Sequence, residues 1–541
     1  MLHTDSLTLA GCRQPLRCNP PHNIVTLAAM VIATIVWQIM HPQTVNAESR
    51  DDRPNVVVIM ADDLGFGDVG CYGATELPTP HIDAVAAMGL RFTQGYCSAS
   101  TCTPTRFSFL TGKYAFRQPG AGIAPPNATS LIQPGTVTIA SILKKAGYAT
   151  GVIGKWHLGL GADPAPDWNG QLKPGPLEIG FDYCFLLPTT NDRVPSVYVE
   201  NHRVLNLDPK DPLWVGRTKP SPDHPTGQDP DVRAKLKMDW SHGHNNTVHN
   251  GIGRIGFYTG GSAARWRDED LADEWVKQSI KWIEQHKDEP FFLFFSSHDL
   301  HVPRMPHERF QGKTKLGFRG DAIAQLDWCV GELVKTLDRL KLTANTLIIF
   351  CSDNGPVLDD GYKDGAITKL GKHKPAGRYR GGKYSIYEGG TRTPFITCWP
   401  GTIKPGMSDK IVCTVDLAAS MAALVGESLA DDACPDSYNV LPSLLGKHDA
   451  KGRDHLIQQP NRGPTLALRV GDWKVLAYAN AKPIKALTYE KGEGKYELYN
   501  LADDPSENKN LAKEHPARLK EMLKKLEAIK TAGRSRPISA N

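Results

Sequence analysis

At 541 residues, 40% hydrophobic and 22% charged, the chain is long enough for a large buried core and has the composition of a globular protein, which excludes a disordered or fibrous one. The net charge is only +5, and Lys and Arg are spread along the sequence without a basic stripe interleaved with aromatics, which argues against nucleic-acid binding. Eleven cysteines lie scattered with no CxxC spacing, so zinc and dithiol redox motifs are excluded and disulfide pairing stays open.

In chain order, Arg13 and Arg17 precede an apolar run over 24–40, and Val45-Asn46-Ala47 then has the small-residue pattern of a cleavage site. Residues 1–47 therefore read as an export signal, with an uncleaved anchor as the alternative because the run approaches spanning length. No second run of that length follows, so the expected mature protein is exported, periplasmic or secreted, without stable membrane insertion. Apolar runs predict strands at 55–60, 149–153, 290–295, 346–351 and 393–399, and an extended stretch at 90–96. Between them, 3.6-residue periodicity predicts helices at 80–88, 105–110, 138–145, 270–286, 321–340 and 415–424. This alternation predicts an α/β fold: a large, mainly parallel mixed sheet sandwiched by helices. Residues 161–268 break the rhythm and read as an irregular insertion at a substrate rim, within a catalytic domain over 48–450. Beyond it, strands at 465–469, 473–477 and 496–498 and a helix at 517–529 predict a smaller α+β subdomain with an antiparallel sheet, over 451–541.

The chemistry-bearing residues cluster where strands end. Asp62-Asp63 close the first strand, at the edge where open α/β sheets bind ligands; the same pair also suits a helix cap. Ser352-Asp353-Asn354-Gly355 close another, compatible with an Asx-turn and with metal binding at once. Three aspartates and an asparagine make an all-oxygen set, suited to Ca²⁺ or Mg²⁺ rather than zinc or copper. Lys155 and His157, two apart after a third strand, share a face and pair a fixed charge with a proton shuttle. His301 follows a fourth strand, and Lys383 sits in a glycine-rich segment that permits close backbone approach. Cys102 opens Cys102-Thr103-Pro104-Thr105-Arg106: if a helix begins here, Pro104 falls in its unpaired first turn, Cys102 and Arg106 share a face, and the positive end of the helix lies beside the cysteine. A buried cysteine preceding a helix would read the same way.

Taken together, MADDLG (60–65), CTPTRFSFLTG (102–112), AGYATGVIGKWHLG (146–159), SSHDLHVP (296–303), FCSDNG (350–355) and GGKYSIYEGGTRTP (381–394) resemble the formylglycine-dependent type I sulfatases of the alkaline phosphatase superfamily. ELYNLADDPSENKNLA (497–512) is similar to that family's small-subdomain signature, and the likeness covers residues 53–530, least clearly over 161–268. The resemblance implies that a separate maturation enzyme oxidises Cys102 to formylglycine, recognising Pro104 and Arg106, and that its hydrate is the nucleophile. It implies one Ca²⁺ (Mg²⁺ as the alternative) on Asp62, Asp63, Asp353, Asn354 and residue 102. Arg106 and Lys155 would stabilise the hydrated aldehyde, His157 would help deprotonate it, and Lys155, His301 and Lys383 would bind sulfate and meet the leaving oxygen. Thr190 lies where some members carry a sulfate-binding serine. The polar residues Asp192, Arg193, Trp240, His242, His244 and Arg254 of the insertion point to a sulfated glycan. The alternatives are a small aryl sulfate, a phosphate or phosphonate monoester, and non-catalytic sulfoglycan binding by an unmodified Cys102.

Overall fold

The computed structural model describes residues 53–461, 463–478 and 495–538, so the expected export signal lies outside the described residues. The strand Asn55–Ala61 occupies the middle of a ten-stranded sheet and is buried along its whole length. Its side chains alternate: Val56, Val58 and Met60 enter one apolar core, and Val57, Ile59 and Ala61 the other. That period of two explains why a strand covered on both faces reads as an unbroken apolar run. The helices Cys102–Thr111, Ile139–Lys145 and Leu417–Leu424 cover the first face. Pro80–Met88, Leu271–Gln285 and Gly317–Arg339 cover the second.

Five strands run parallel side by side: Thr346–Ser352, Asn55–Ala61, Phe291–Ser296, Ala149–Lys155 and Tyr183–Leu187. Their register aligns the carboxyl ends, with Ala61 opposite Ser352, Met60 opposite Ser296, and Ser296 opposite Gly154. Residues that follow these ends in sequence therefore emerge along a single edge. Phe395–Cys398 adds on antiparallel to Thr346–Ser352, which makes the sheet mixed.

Two differences from the sequence expectation are physical. The segment 161–268 is not irregular throughout: Tyr183–Leu187, Val199–Glu200 and Arg203–Val204 extend the large sheet. Cys184 and Leu186 face one core and Phe185 and Leu187 the other, so this short apolar run satisfies the strand pattern, and the polar, Pro- and Gly-rich sequence around it is what conceals it. The second difference is the helix expected at 105–110, which begins at Cys102. Pro104 is its third residue, where the missing N–H has no intrahelical acceptor to lose.

The four strands His455–Gln458, Leu466–Val470, Trp473–Ala477 and Tyr496–Asn500 form a separate antiparallel sheet in chain order. The helix Pro516–Thr531 lays Met522, Leu526 and Ile529 against it. Tyr96, Tyr114 and Val415 join the same core, so the small sheet packs onto the large part rather than hanging from a linker.

Candidate active site

Asp62 and Asp63 leave the strand Asn55–Ala61, Asp63 in the left-handed region at φ 58°, which turns the chain and lets adjacent carboxylates converge. Asp353 and Asn354 leave the neighbouring strand, and Asn354 Nδ2 donates to Asp63 Oδ1 over 2.7 Å. The backbone N–H of Asp63 reaches Asp353 Oδ1 at 3.3 Å. All four side chains are fully buried. Three carboxylates packed out of water need cations, and the chain supplies three. Lys155 Nζ pairs with Asp62 Oδ2, Lys383 Nζ lies 2.9 Å from Asp63 Oδ2, and Arg106 reaches Asp353 Oδ2 through Nε at 2.9 Å and Nη2 at 2.8 Å. Burial and then the Asp353 charge still push the Asp62 carboxyl well above the usual carboxylate range.

Two buried oxygens here, Asp62 Oδ1 and Asn354 Oδ1, have no hydrogen-bond partner. A buried oxygen without a donor costs about 1–3 kcal/mol, which a bound cation would offset. With these orphans and a set of hard oxygen donors, the residues fit Ca²⁺ or Mg²⁺. Ligand atoms of Asp62, Asp63 and His301 lie within 4.8 Å of one another, so the histidine approaches the carboxylates while Asp353 turns one oxygen to Arg106.

Cys102 is the first residue of its helix, which places its side chain among the helix's unpaired N–H groups. Its Sγ lies 3.1 Å from His157 Nδ1, and His157 Nε2 lies 3.0 Å from the Ala124 carbonyl. A carbonyl only accepts, so Nε2 carries the proton and Nδ1 presents a lone pair to residue 102. Burial, then Lys155 and Arg193, hold His157 well below the ordinary histidine pKa, so this imidazole is neutral. Burial also raises the Cys102 thiol, against the pull of Lys155 and Lys383. An unmodified thiol here stays protonated and is a weak nucleophile. His301 donates Nδ1–H to the Val302 carbonyl at 2.8 Å, and burial, then Lys383 and Lys155, keep it neutral as well. Lys383 behaves oppositely: burial works against its charge, but Asp360 and Asp63 outweigh burial and hold the ammonium charged.

A cavity of about 210 Å³ leads to Cys102, with His301 and Lys383 also on its surface. The 161–268 segment contributes Asp192, Arg193, His242 and His244 to its wall. His244 Nε2 lies 2.9 Å from Asp192 Oδ2, and Arg193 Nη1 contacts both Asp192 oxygens at 2.8 and 2.9 Å. The other residues singled out from sequence in this segment do not line the cavity. Thr190 is fully buried, donating to Asp192 and accepting from Arg193 Nη1 at 2.8 Å. Arg254 is fully buried on Asp268 Oδ2 at 2.6 Å and on the Asn191 carbonyl at 2.7 Å, bracing the loop that carries Asp192. Trp240 packs 3.9 Å from the Arg233 guanidinium and donates to the Gly227 carbonyl at 2.7 Å. Sequence reasoning missed Asp360 and Tyr384, which also line the cavity. Tyr384 lay inside a segment already marked by its glycines, whereas nothing in the pattern around Asp360 marks it.

Buried carboxylates, ammoniums and a guanidinium surround one nucleophile position, reached through a cavity lined by charged and polar groups, an arrangement suited to hydrolysis of anionic esters. Two family models match the chain: "Sulfatase" over residues 54–427 and "N-sulphoglucosamine sulphohydrolase, C-terminal" over 381–532. The chain is 51% identical over 484 residues to an N-acetylgalactosamine-6-O-sulfatase of Bacteroides thetaiotaomicron, covering 89% of this chain and 94% of that protein. It is 31% identical over 473 residues to human arylsulfatase A, covering 85% and 83%. A solved structure from work on the metabolism of multiple glycosaminoglycans by Bacteroides thetaiotaomicron superposes with a TM-score of 0.85 at 49% identity, covering 89% of this chain and all of that one. The chain belongs to the sulfatase family of the alkaline phosphatase superfamily, and it is a sulfuric ester hydrolase.

Proposed function

We propose that the chain removes sulfate from sulfated carbohydrate, with a 6-O-sulfated N-acetylgalactosamine as first substrate, using a formylglycine made from Cys102 by a maturation enzyme and one bound Ca²⁺. The observation that carries this reading is the cavity wall. Asp192, Arg193, His242 and His244 present hydrogen-bonding groups beside Cys102, the kind of surface that sugar hydroxyls require and a bare aryl ring does not. The 51% identity to an N-acetylgalactosamine-6-O-sulfatase supports the choice of sugar.

Asp62, Asp63, Asp353 and Asn354 would hold the Ca²⁺ together with residue 102. Bound there, the ion supplies Lewis-acid stabilisation to a sulfate oxygen. Hydrated formylglycine supplies one hydroxyl to attack sulfur and a second whose deprotonation lets sulfate leave. The remaining work falls to side chains already in place. His157 accepts a proton at Nδ1 from a hydroxyl on residue 102, because its Nε2–H is committed to Ala124. Arg106 and Lys155, both fully buried, offset negative charge around the nucleophile without reorganising. Lys383 meets the ester and leaving oxygens as a charged donor, whereas the free Nε2 of neutral His301 carries a lone pair and donates to them only after taking up a proton.

Residues 1–47 act in this reading as a cleaved export signal, which N-terminal sequencing of the mature protein tests. The substrate assignment is tested by sulfate release from N-acetylgalactosamine 6-sulfate, its 4-sulfate isomer, N-acetylglucosamine 6-sulfate and nitrophenyl sulfate. Release from the first at the highest kcat/KM is expected. Turnover of nitrophenyl sulfate with none of the sugars desulfated would move the assignment to small aryl sulfates.

A further inference from the structure

Lys383 Nζ stands between two carboxylates, 2.9 Å from Asp63 Oδ2 and 2.7 Å from Asp360 Oδ2. Lys155, by contrast, has Asp62 as its single carboxylate partner among the described residues. Asp360 has no place in the ligand set proposed above, yet it is buried, lines the cavity and fixes its own orientation by accepting at Oδ1 from Tyr384 Oη over 2.8 Å. Tyr384 holds a left-handed backbone at φ 73°, rare for a non-glycine residue. Its N–H is pinned to the Ser100 carbonyl at 2.7 Å. A conformation of this kind persists only where its surroundings enforce it. Here it brings the hydroxyl that steadies Asp360 next to the ammonium that Asp360 receives.

We infer that Asp360 is a positioning residue: it draws the Lys383 ammonium away from Asp63, leaving that carboxylate to the divalent cation and keeping the ammonium on the cavity wall. The inference rests on the metal site of the proposed function. Asp63 Oδ1 is occupied by Asn354 Nδ2 at 2.7 Å, so Oδ2, where Lys383 sits, is the oxygen a cation must win. An ammonium and a divalent cation on one oxygen repel strongly out of water. Asp360 resolves the competition with no chain movement, because Lys383 already touches it at the shorter distance. Without that second carboxylate, Lys383 has Asp63 as its remaining anionic partner and competes with the ion.

The test is calorimetric titration of Ca²⁺ into the metal-stripped full chain, as wild type, Asp360→Asn, Lys383→Met and the double variant, with the melting temperature of each recorded. Asp360→Asn is expected to weaken Ca²⁺ binding about tenfold, the scale of an outer partner of a metal ligand. In the Lys383→Met background the same change is expected to cost less than about twofold, because the competitor is gone. Tyr384→Phe is expected to weaken binding by about threefold, one hydrogen bond's worth. An equal loss from Asp360→Asn in both backgrounds, or no loss in either, overturns the inference. A change confined to the KM for the sulfated sugar also overturns it and makes Asp360 a substrate contact. A wild type that binds no Ca²⁺ overturns the metal site itself, and the inference with it.

Discussion

The two halves of the site are built differently. Asp62, Asp63, Lys155, Asp353 and Asn354 leave the aligned ends of three parallel strands, fully buried and fixed by backbone whose register the sheet dictates. Asp192, Arg193, His242 and His244 come from loops of the 161–268 segment, and their positions depend on one another: Asp192 is held by His244, 52 residues away, and by Arg193. His242, its side chain 34% exposed, is the least constrained of them. In the proposed function, chemistry common to every substrate falls to the rigid strand ends, and recognition of one substrate falls to the loops. Changes in the first half should therefore lower kcat on every ester, and changes in the second should raise KM on the sugar alone.

The largest expected effect is at the nucleophile: Cys102→Ala should lower kcat on any sulfate ester by at least about a thousandfold. Removal of the ion with a chelator should cost about a hundredfold or more, restored by Ca²⁺, as measured by sulfate release before and after its return. Asp192→Asn, or His244→Ala, should raise KM for the sulfated sugar about tenfold while nitrophenyl sulfate turnover stays within about twofold. A comparable loss on both substrates would break the division between the two halves. The smallest effect on catalysis is expected at Arg254. Arg254→Met leaves Asp268 buried without its cation and should cost about 3 kcal/mol of stability in a denaturant titration, while kcat per folded molecule changes less than about threefold. A KM effect as large as that at Asp192 would instead make Arg254 part of the recognition surface.

The same division governs what the sequence discloses. Each strand-end motif carries its own context, an apolar run followed by its polar residues, so the position of Asp62, Lys155 or Asp353 at the ligand edge follows from local pattern once the strands are parallel. The start of the helix at Cys102 was only partly legible: Pro104 permits a first turn there, but the periodic pattern sets in at 105. The wall was only partly legible. Asp192, Arg193, His242 and His244 stand out as polar residues in an aperiodic stretch, but so do Trp240 and Arg254, and only the fold separates those on the cavity wall from those off it. Thr190, which the resemblance places where some members carry a sulfate-binding serine, is hydrogen-bonded to Asp192 and Arg193. Asp360 left no trace, because its role depends on a lysine 23 residues later and on a tyrosine in a left-handed turn. Likewise the strand Tyr183–Leu187 is defined by its pairing with Ala149–Lys155, which no local window contains.

The central claim is that residue 102 functions after it has ceased to be cysteine. Mass spectrometry of the peptide containing residue 102, on protein produced together with a maturation enzyme and assayed in parallel, tests this most directly. The mass of an aldehyde at residue 102, present in proportion to specific activity across preparations, is the predicted result. Full sulfatase activity from protein whose residue 102 remains a free thiol would contradict it.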